Sequence, residues 1–300
     1  MEKRQWLALV LLAVVVLIII VFSMRSNTAL TMAEHKMHSH SWCIEQSLVG
    51  QPYLDIWTNL EKIVASCEEW GALNVSLFVP LETSCGTKYH LLPENPEDAF
   101  DNCMVLSIGV GGHIEAELEL KKLQPKCRFI GVDPDAERNE QLYRSIGQFY
   151  PYAVVGVKDG DNAMVDDTSE SLNSTSRNTT EFLTFLQSVV KTRFIDQAFI
   201  DAPYAEYELF EYFLTRGPLS AVDITFCQVN IEIHQPDVEQ LIVLIKFLLQ
   251  LIADRHYTLF RVVKMKPEAH LRVVLINFHK STCMKKYIYE KGLPGIRDTK

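Results

Sequence analysis

The sequence predicts an α/β domain with a doubly wound sheet that is mostly parallel and has an antiparallel hairpin at its C-terminal edge. After residue 96, short apolar runs alternate with helical segments at the spacing of βα units. The last two apolar runs are separated by a short polar connection, which suits a hairpin. We predict strands over residues 103–108, 128–132, 153–157, 197–200, 225–233, 257–265 and 271–278. We predict the helices between them over residues 114–123, 137–146, 180–191, 204–215 and 237–253.

The net charge argues against a nucleic-acid partner. The 300 residues include 29 Lys and Arg against 38 Asp and Glu, which gives a formal net charge of −9. Proteins that bind phosphate backbones normally carry a basic excess. We therefore expect no nucleic acid among the partners of this chain.

The N-terminus contains a candidate membrane anchor. Residues 6–22 carry no charge, and as a helix they would extend for about 25 Å, enough for a thin bilayer. Lys3 and Arg4 precede the run and only Arg25 follows closely, so the positive-inside rule places the N-terminus in the cytosol. We expect residues 1–24 to form a cytosolic tip and a type II anchor, with the body in the ER or Golgi lumen or outside the cell. The alternative is a cleaved signal peptide, although the run is longer than a usual signal core and no small-x-small cleavage site follows it.

Sequons and cysteines agree with a lumenal body. Acceptor sequons for N-glycosylation begin at Asn74, Asn173 and Asn178. The seven cysteines show no spacing suited to zinc, so we expect disulfides or buried thiols, with at least one cysteine unpaired. Cys227 lies inside an apolar strand and is expected to be a core thiol.

Two segments precede the sheet. Residues 25–41 lack a sustained apolar period and predict a solvated stem, in which His35, His38 and His40 do not form a metal site. Residues 42–96 predict a cap region that is helical over 42–67 and irregular over 71–96. We expect no metal site in the chain.

A glycine-rich turn is the strongest local motif. Residues 105–115 read Val-Leu-Ser-Ile-Gly-Val-Gly-Gly-His-Ile-Glu, an apolar strand that runs through three glycines into a helix. Such glycines let the backbone approach a ligand and leave amides free at the helix N-terminus. Ile114 stands where a dinucleotide fingerprint needs its third glycine, which disfavours a nicotinamide-dependent oxidoreductase. Asp133 ends the next predicted strand, where a carboxylate can accept the two hydroxyls of a ribose.

These motifs together resemble the S-adenosylmethionine-dependent methyltransferases, in particular the FkbM-like family and its membrane-anchored members of the nematode type. The resemblance covers residues 102–278. It depends on four segments: Ser107-Ile-Gly-Val-Gly-Gly; Gly131-Val-Asp-Pro-Asp with Asn139; Phe199-Ile-Asp-Ala-Pro-Tyr-Ala-Glu; and Gln228-Val-Asn-Ile-Glu-Ile-His.

The resemblance implies a Rossmann-like methyltransferase sheet over residues 97–282, followed by a C-terminal tail over 283–300. It implies S-adenosylmethionine as the cofactor and places Asp201 near the methyl-transfer centre. The residues expected at the cofactor are Ser107, Gly109, Gly111, Gly112, Asp133 and Asn139.

The chain departs from the family pattern at two places. The family usually has an acidic residue at the position of Ser107. It reads Asp-Val-Glu-Gly-Ala-Glu where this chain reads Asp-Ala-Pro-Tyr-Ala-Glu over residues 201–206. These departures leave a second hypothesis open, a catalytically degenerate protein that uses the sheet as a binding module.

The candidate catalytic residues follow two neighbouring strands. We expect Asp201 and His234 at the carboxyl edge of the sheet, where open α/β folds bind their ligands, with Glu206 and Glu232 nearby. His234 is the candidate base, because a neutral imidazole accepts a proton near neutral pH. Two of these residues have structural alternatives: a solvated histidine past a strand end for His234, and a helix-dipole contact for Glu206. The expected reaction is O-methylation of a glycan or another small hydroxylated acceptor.

Overall fold

The computed structural model describes residues 2–95, 103–156, 178–265 and 270–289. The strands are β1 Phe78–Thr83, β2 Gly86–Leu91, β3 Met104–Ile108, β4 Arg128–Val132, β5 Gln148–Tyr150, β6 Ala153–Val155, β7 Thr179–Glu181, β8 Phe194–Ile200, β9 Thr225–Ile233, β10 Tyr257–Lys264 and β11 Leu271–Asn277. The α-helices are α1 Glu2–Leu48, α2 Tyr53–Ser66, α3 Glu115–Leu123, α4 Ala136–Arg144, α5 Phe182–Phe185, α6 Glu206–Leu209, α7 Pro218–Ala221, α8 Val238–Asp254 and α9 Ser281–Tyr287.

The central sheet confirms the predicted fold class. Its seven strands lie in the order β10-β11-β9-β8-β3-β4-β5. The pairs within β9-β8-β3-β4-β5 are parallel, whereas β11 is antiparallel to both β9 and β10. The parallel strands end at one edge of the sheet, which is where this class of fold binds ligands.

One predicted strand lies outside the central sheet. We predicted residues 153–157 as its third strand, but β6 pairs with β7 in a separate two-stranded sheet, and β5 takes the edge position beside β4. Pro151 separates β5 from β6, and a proline cannot donate a hydrogen bond to a sheet ladder. A strand does form at this apolar run, but its assignment to the central sheet was wrong.

A hairpin replaces the irregular connection predicted over residues 71–96. Strands β1 and β2 pair from Phe78 with Leu91 to Thr83 with Gly86. The side-chain amide of Asn230 in β9 accepts from the Tyr89 amide at 3.0 Å and donates to the Tyr89 carbonyl at 2.8 Å. Gln228 pairs with the backbone of Leu91 in the same way. Two polar side chains of the central sheet therefore hold the hairpin.

The segment predicted as a solvated stem is instead helical. Helix α1 continues to Leu48, and Ala33, Met37 and His40 on it are buried. The two ring nitrogens of His40 lie 2.8 Å from the carbonyl oxygens of Cys67 and Leu259. The stem prediction is therefore wrong over residues 33–41, because this part of the helix packs on the domain.

Within the part of the chain whose side chains the structure describes, which leaves out residues 2–11 and 19–30 of α1, no helix is long and apolar enough to cross a bilayer.

Six of the seven cysteines form disulfides. The pairs are Cys43–Cys67, Cys103–Cys127 and Cys227–Cys283. Cys85 is exposed and free. The prediction of a core thiol at Cys227 is wrong in its chemistry, since this buried residue is bonded to Cys283 in α9. That bond fixes a C-terminal helix to β9, the strand that contains Glu232 and ends just before His234.

Candidate active site

The site lies where β3, β4, β8 and β9 end. The Gly109 amide donates to the Val132 carbonyl at 2.9 Å, and the Asp201 amide donates to the Ile108 carbonyl at 2.8 Å. These bonds extend the parallel ladder past the strand ends and bring the glycine turn beside Asp133 and Asp201. The predicted residues form two groups, one around the glycine turn and one around His234.

The glycine turn requires its glycines. Gly109, Gly111 and Gly112 all have positive φ, the region that L-residues rarely adopt. A Cβ on Gly109 would lie 1.8 Å from the carbonyl oxygen of Asp201, so the turn passes directly over the end of β8. A Cβ on Gly111 would meet no atom within 4 Å, so the space beside this residue is open.

Asp133 and Asn139 bind the glycine turn itself. One carboxylate oxygen of Asp133 accepts from the amides of Val110 and Gly111, at 2.9 and 3.0 Å, and the other accepts from the Asp135 amide. Asn139 accepts from the Gly112 amide at 2.7 Å. The expectation of free amides at this turn is therefore wrong, because these two side chains already satisfy them. A carboxylate accepts about four hydrogen bonds, so Asp133 keeps capacity for a ligand.

Ser107 lies beneath the turn. Its buried hydroxyl donates to Glu117 at 2.8 Å and accepts from the Tyr143 hydroxyl at 3.0 Å. Burial, with a smaller effect from the Glu117 charge, raises the pKa of Tyr143 well above its ordinary value. Nζ of Lys88, in β2 of the hairpin, lies 3.8 Å from Oε1 of Glu117. This geometry gives Ser107 a supporting role inside the protein and does not favour the predicted cofactor contact.

A buried carboxylate holds His234. Glu206 Oε1 lies 3.0 Å from Nδ1 of the ring and also accepts from the His234 amide at 2.8 Å. The other ring nitrogen, Nε2, lies 4.0 Å from Asp201 Oδ1. Burial lowers the pKa of His234, but the hydrogen bond and charge of Glu206, with the charges of Asp201 and Glu232, raise it overall above its ordinary value. The arrangement therefore fixes the ring and turns Nε2 towards Asp201.

Asp201 and Glu232 differ in the charges that surround them. Burial, and then the charge of Glu232, raise the pKa of Asp201. Burial also raises the pKa of Glu232, but the charge and hydrogen bond of Arg272 outweigh it and lower that pKa overall. Arg272 is buried and binds Glu232 directly. The sequence did not indicate Arg272 as a site residue, because only the antiparallel register of β11 with β9 places it opposite Glu232.

One group of residues could hold a metal ion. Glu232, His234 and His270 each offer a ligand atom, and these atoms lie within 4.8 Å of one another. The guanidinium of Arg272 already neutralises Glu232, so a cation would lie close to a fixed positive charge. The expectation of no metal site stays a prediction.

Tyr204 is an exposed residue beside His234. Its φ is 64°, a value that favours glycine, and its side chain is 52% exposed. Its ring centroid lies 5.5 Å from that of His234. The sequence marked this position as a departure from the family pattern but did not reveal its backbone conformation.

Comparison with known proteins agrees with the class that the sheet and the glycine turn define, a Rossmann-like methyltransferase. A model of the methyltransferase FkbM domain matches residues 74–259, more than half of the chain. The chain belongs to the FkbM methyltransferase family, and S-adenosylmethionine is its cofactor. The match begins before β1, so the hairpin is part of the methyltransferase domain. No curated protein matches the chain significantly.

Solved methyltransferase structures are also similar. Fibrillarin of Aeropyrum pernix, solved with natively bound S-adenosyl-L-methionine, is 12% identical over 59% of this chain and 68% of its own, with a TM-score of 0.33. Precorrin-6y C5,15-methyltransferase of Geobacter metallireducens GS-15 is 12% identical over 59% of this chain and 82% of its own, with a TM-score of 0.32. The mitomycin 7-O-methyltransferase MmcR is 11% identical over 79% and 68%, with a TM-score of 0.28.

The residues around the glycine turn fit the cofactor. The open space beside Gly111 admits a ligand against the backbone, and Asp133, which binds the amides of this turn from the end of β4, can accept one more hydrogen bond. Gly109, Gly111, Gly112, Asp133 and Asn139 are thus brought together as predicted, although their contacts with a cofactor stay a prediction.

Proposed function

We propose that this methyltransferase methylates a hydroxyl group of a glycan or another small hydroxylated acceptor. The observation that carries the proposal is the oriented His234, whose Nδ1 is held by Glu206 and whose Nε2 faces Asp201. A hydroxyl loses its proton on methylation, and a histidine fixed in one orientation by a carboxylate suits that task.

On the donor side, Asp133 would accept a hydrogen bond from one ribose hydroxyl, and the turn around Gly111 would lie against the methionine part of the cofactor. When bound, S-adenosylmethionine supplies an electrophilic methyl group on a sulfonium centre. The chain's task here is to hold the two reactants in line, which by itself lowers the barrier strongly.

On the acceptor side, His234 takes the proton. As the acceptor oxygen gains the methyl group, its proton would move to Nε2, and the cofactor would retain the electron pair of the carbon–sulfur bond. Glu206 stabilises the imidazolium through Nδ1, and Asp201 does so through its charge at 4.0 Å from Nε2. Glu232, which is paired with Arg272, makes a smaller electrostatic contribution in the same direction.

We further propose that α1 anchors the enzyme as a type II membrane protein with its body in the secretory lumen or outside the cell. The side chains of residues 12–18, within the uncharged run over 6–22, are all exposed. Three disulfides suit an oxidising compartment. Asn74 and Asn178 are exposed, as glycosylation requires, whereas Asn173 lies outside the described residues.

The experiment that tests the methyltransferase site is a calorimetric titration of the full chain in detergent with S-adenosylmethionine and its demethylated product. We expect Asp133→Ala to weaken binding about tenfold or more, because it removes both a charged acceptor for the ribose and the carboxylate that holds the amides of Val110 and Gly111. Asp133→Asn keeps one acceptor oxygen and should lose less. Asp55→Ala, an exposed aspartate of α2, is the matched control. Absence of binding by the folded wild-type chain would overturn the proposal and favour a binding module without turnover.

A further inference from the structure

Tyr204 adopts a backbone conformation that its side chain disfavours. At a φ of 64° the Cβ of a bulky residue crowds the neighbouring carbonyl, whereas glycine adopts this region without strain. Folding does not offset this strain by burying the ring, since about half of the side chain is exposed. Strained residues of this kind are concentrated at ligand-binding and active sites.

The ring of Tyr204 begins a row of three rings along the acceptor side of the site. Its centroid lies 5.5 Å from that of His234, and the His234 centroid lies 4.4 Å from that of His270. Asp201 and Glu232 border the same row. The site thus places a half-exposed aromatic ring beside carboxylate and imidazole groups that can bind hydroxyls.

This combination matches the chemistry of a pyranose sugar. A pyranose ring has an apolar face of C–H groups, which packs against the electron-rich face of an aromatic ring. Its edge carries hydroxyls, which need hydrogen-bonding partners once they leave water. A small acyclic alcohol has the hydroxyls but lacks the flat C–H face.

We propose that Tyr204 is the platform of the acceptor subsite and that the acceptor is a pyranose-containing glycan. The sugar ring lies on Tyr204, and one of its hydroxyls reaches Nε2 of His234. This inference rests on the proposed function and names its substrate class.

The platform is separate from the donor site. Tyr204 lies beside the end of β9, and Asp133 lies at the end of β4, three strand positions away in the sheet, or about 14 Å. A change at Tyr204 should therefore alter acceptor binding and leave cofactor binding unchanged.

The chain offers a matched control for the backbone effect. Lys191 is exposed and also has a left-handed φ, of 54°, but it precedes β8 at the end of the strand opposite to Asp201. Tyr204→Gly and Lys191→Gly both relieve the backbone strain of a side chain at a left-handed φ. Only the first substitution removes the platform. Tyr204→Phe keeps the ring and removes the hydroxyl.

The test is saturation-transfer NMR on the full chain in a detergent without a sugar headgroup. The probes are the disaccharides lactose, maltose and chitobiose, with the acyclic polyol sorbitol as the control ligand. We expect saturation to be transferred to the ring C–H protons of at least one disaccharide. We expect no transfer to the protons of sorbitol. Tyr204→Gly should weaken disaccharide binding about three- to tenfold, with Tyr204→Phe and Lys191→Gly close to wild type.

Two outcomes would overturn the inference: a wild-type chain that binds no disaccharide, or a Tyr204→Gly chain that binds them as wild type does. Melting temperature and cofactor titration are recorded for every variant, and Tyr204→Gly should lower neither stability nor cofactor affinity. If the wild-type chain fails to bind S-adenosylmethionine, the proposed function is contradicted. Cofactor binding without sugar binding contradicts the inference alone.

Discussion

The orientation of His234 is fixed by a single buried carboxylate. Glu206 is completely buried, and one of its oxygens bonds both the ring and the backbone amide of His234. A hydrogen bond from Nδ1 to a carboxylate selects the tautomer with a lone pair on Nε2. It also stabilises the charged form of the ring, which is why the pKa of His234 is raised despite burial. The carboxylate therefore controls both the direction and the proton affinity of the proposed base.

Replacement of Glu206 by Gln should lower the pKa of His234. The substitution removes a negative charge that favours the imidazolium but keeps an oxygen acceptor of similar size. Because the base must be neutral to accept a proton, the acidic limb of the methylation rate should move to lower pH. The first measurement is an NMR titration of the His234 ring protons, which needs no acceptor.

Glu239→Gln, at an exposed position in the first turn of α8, is the control for the general loss of one charge. It should leave the titration of His234 unchanged. An unaltered pKa in Glu206→Gln would show that the carboxylate does not govern the ring.

The sequence predicted the residues that follow strand ends, but not the side chains that support them. Asp133, Asp201 and His234 could be predicted because parallel strands end at one edge, so sequence position alone places them near each other. Glu117 and Arg272 could not, because each acts through one contact with a residue distant in sequence. No local periodicity encodes such a contact.

At the scale of elements, the β1–β2 hairpin depends on polar side chains of the central sheet. Asn230 and Gln228 each present an amide that donates and accepts, and so completes the backbone pairing of β2. The hairpin tip lies over the acceptor side of the site, where a Cβ on Gly86 would come within 3.2 Å of Arg272. These two side chains thus supply the hydrogen bonds to β2 that a neighbouring strand would supply through its backbone.

Asn230→Ala should destabilise the protein by about 1–3 kcal/mol, because it leaves two backbone groups of Tyr89 without their partners in a partly buried setting. The amide of Tyr89 should also exchange its hydrogen faster. Denaturant unfolding and hydrogen exchange measure the two effects. Asn59→Ala, in α2, removes only a bond at the helix surface and is the control. Equal stability of the two variants would mean that Asn230 does not hold the hairpin.

Periodicity predicted the βα units and failed for the elements that dock on them. The predicted ranges of β4 and β9 agree with the structure at both ends. The docked part of α1 was missed because histidine is usually a surface residue, whereas His40 is buried with both ring nitrogens 2.8 Å from backbone carbonyl oxygens. The hairpin was missed because its stabilising partners lie some 140 residues later in the sequence.

At the scale of the whole molecule, covalent links tie the N- and C-terminal helices to the domain. The Cys43–Cys67 disulfide joins α1 to the end of α2, and Cys227–Cys283 joins β9 to α9. A disulfide between distant residues restricts the unfolded chain and typically contributes about 2–4 kcal/mol of stability. Such links persist in oxidising compartments, which is the setting of the proposed lumenal orientation.

The orientation can be tested by translating the full chain into microsomes. If α1 places the body in the lumen, Asn74 and Asn178 become accessible to the glycosylation machinery, since both are exposed. The chain should then show glycan-dependent mobility shifts that an endoglycosidase removes, and its body should resist added protease. Asn74→Gln and Asn178→Gln should each remove one shift. Asn59→Gln, outside any sequon, should leave the mobility unchanged. An unglycosylated body that protease digests without detergent would place the domain on the cytosolic side, and the three disulfides would then need another explanation.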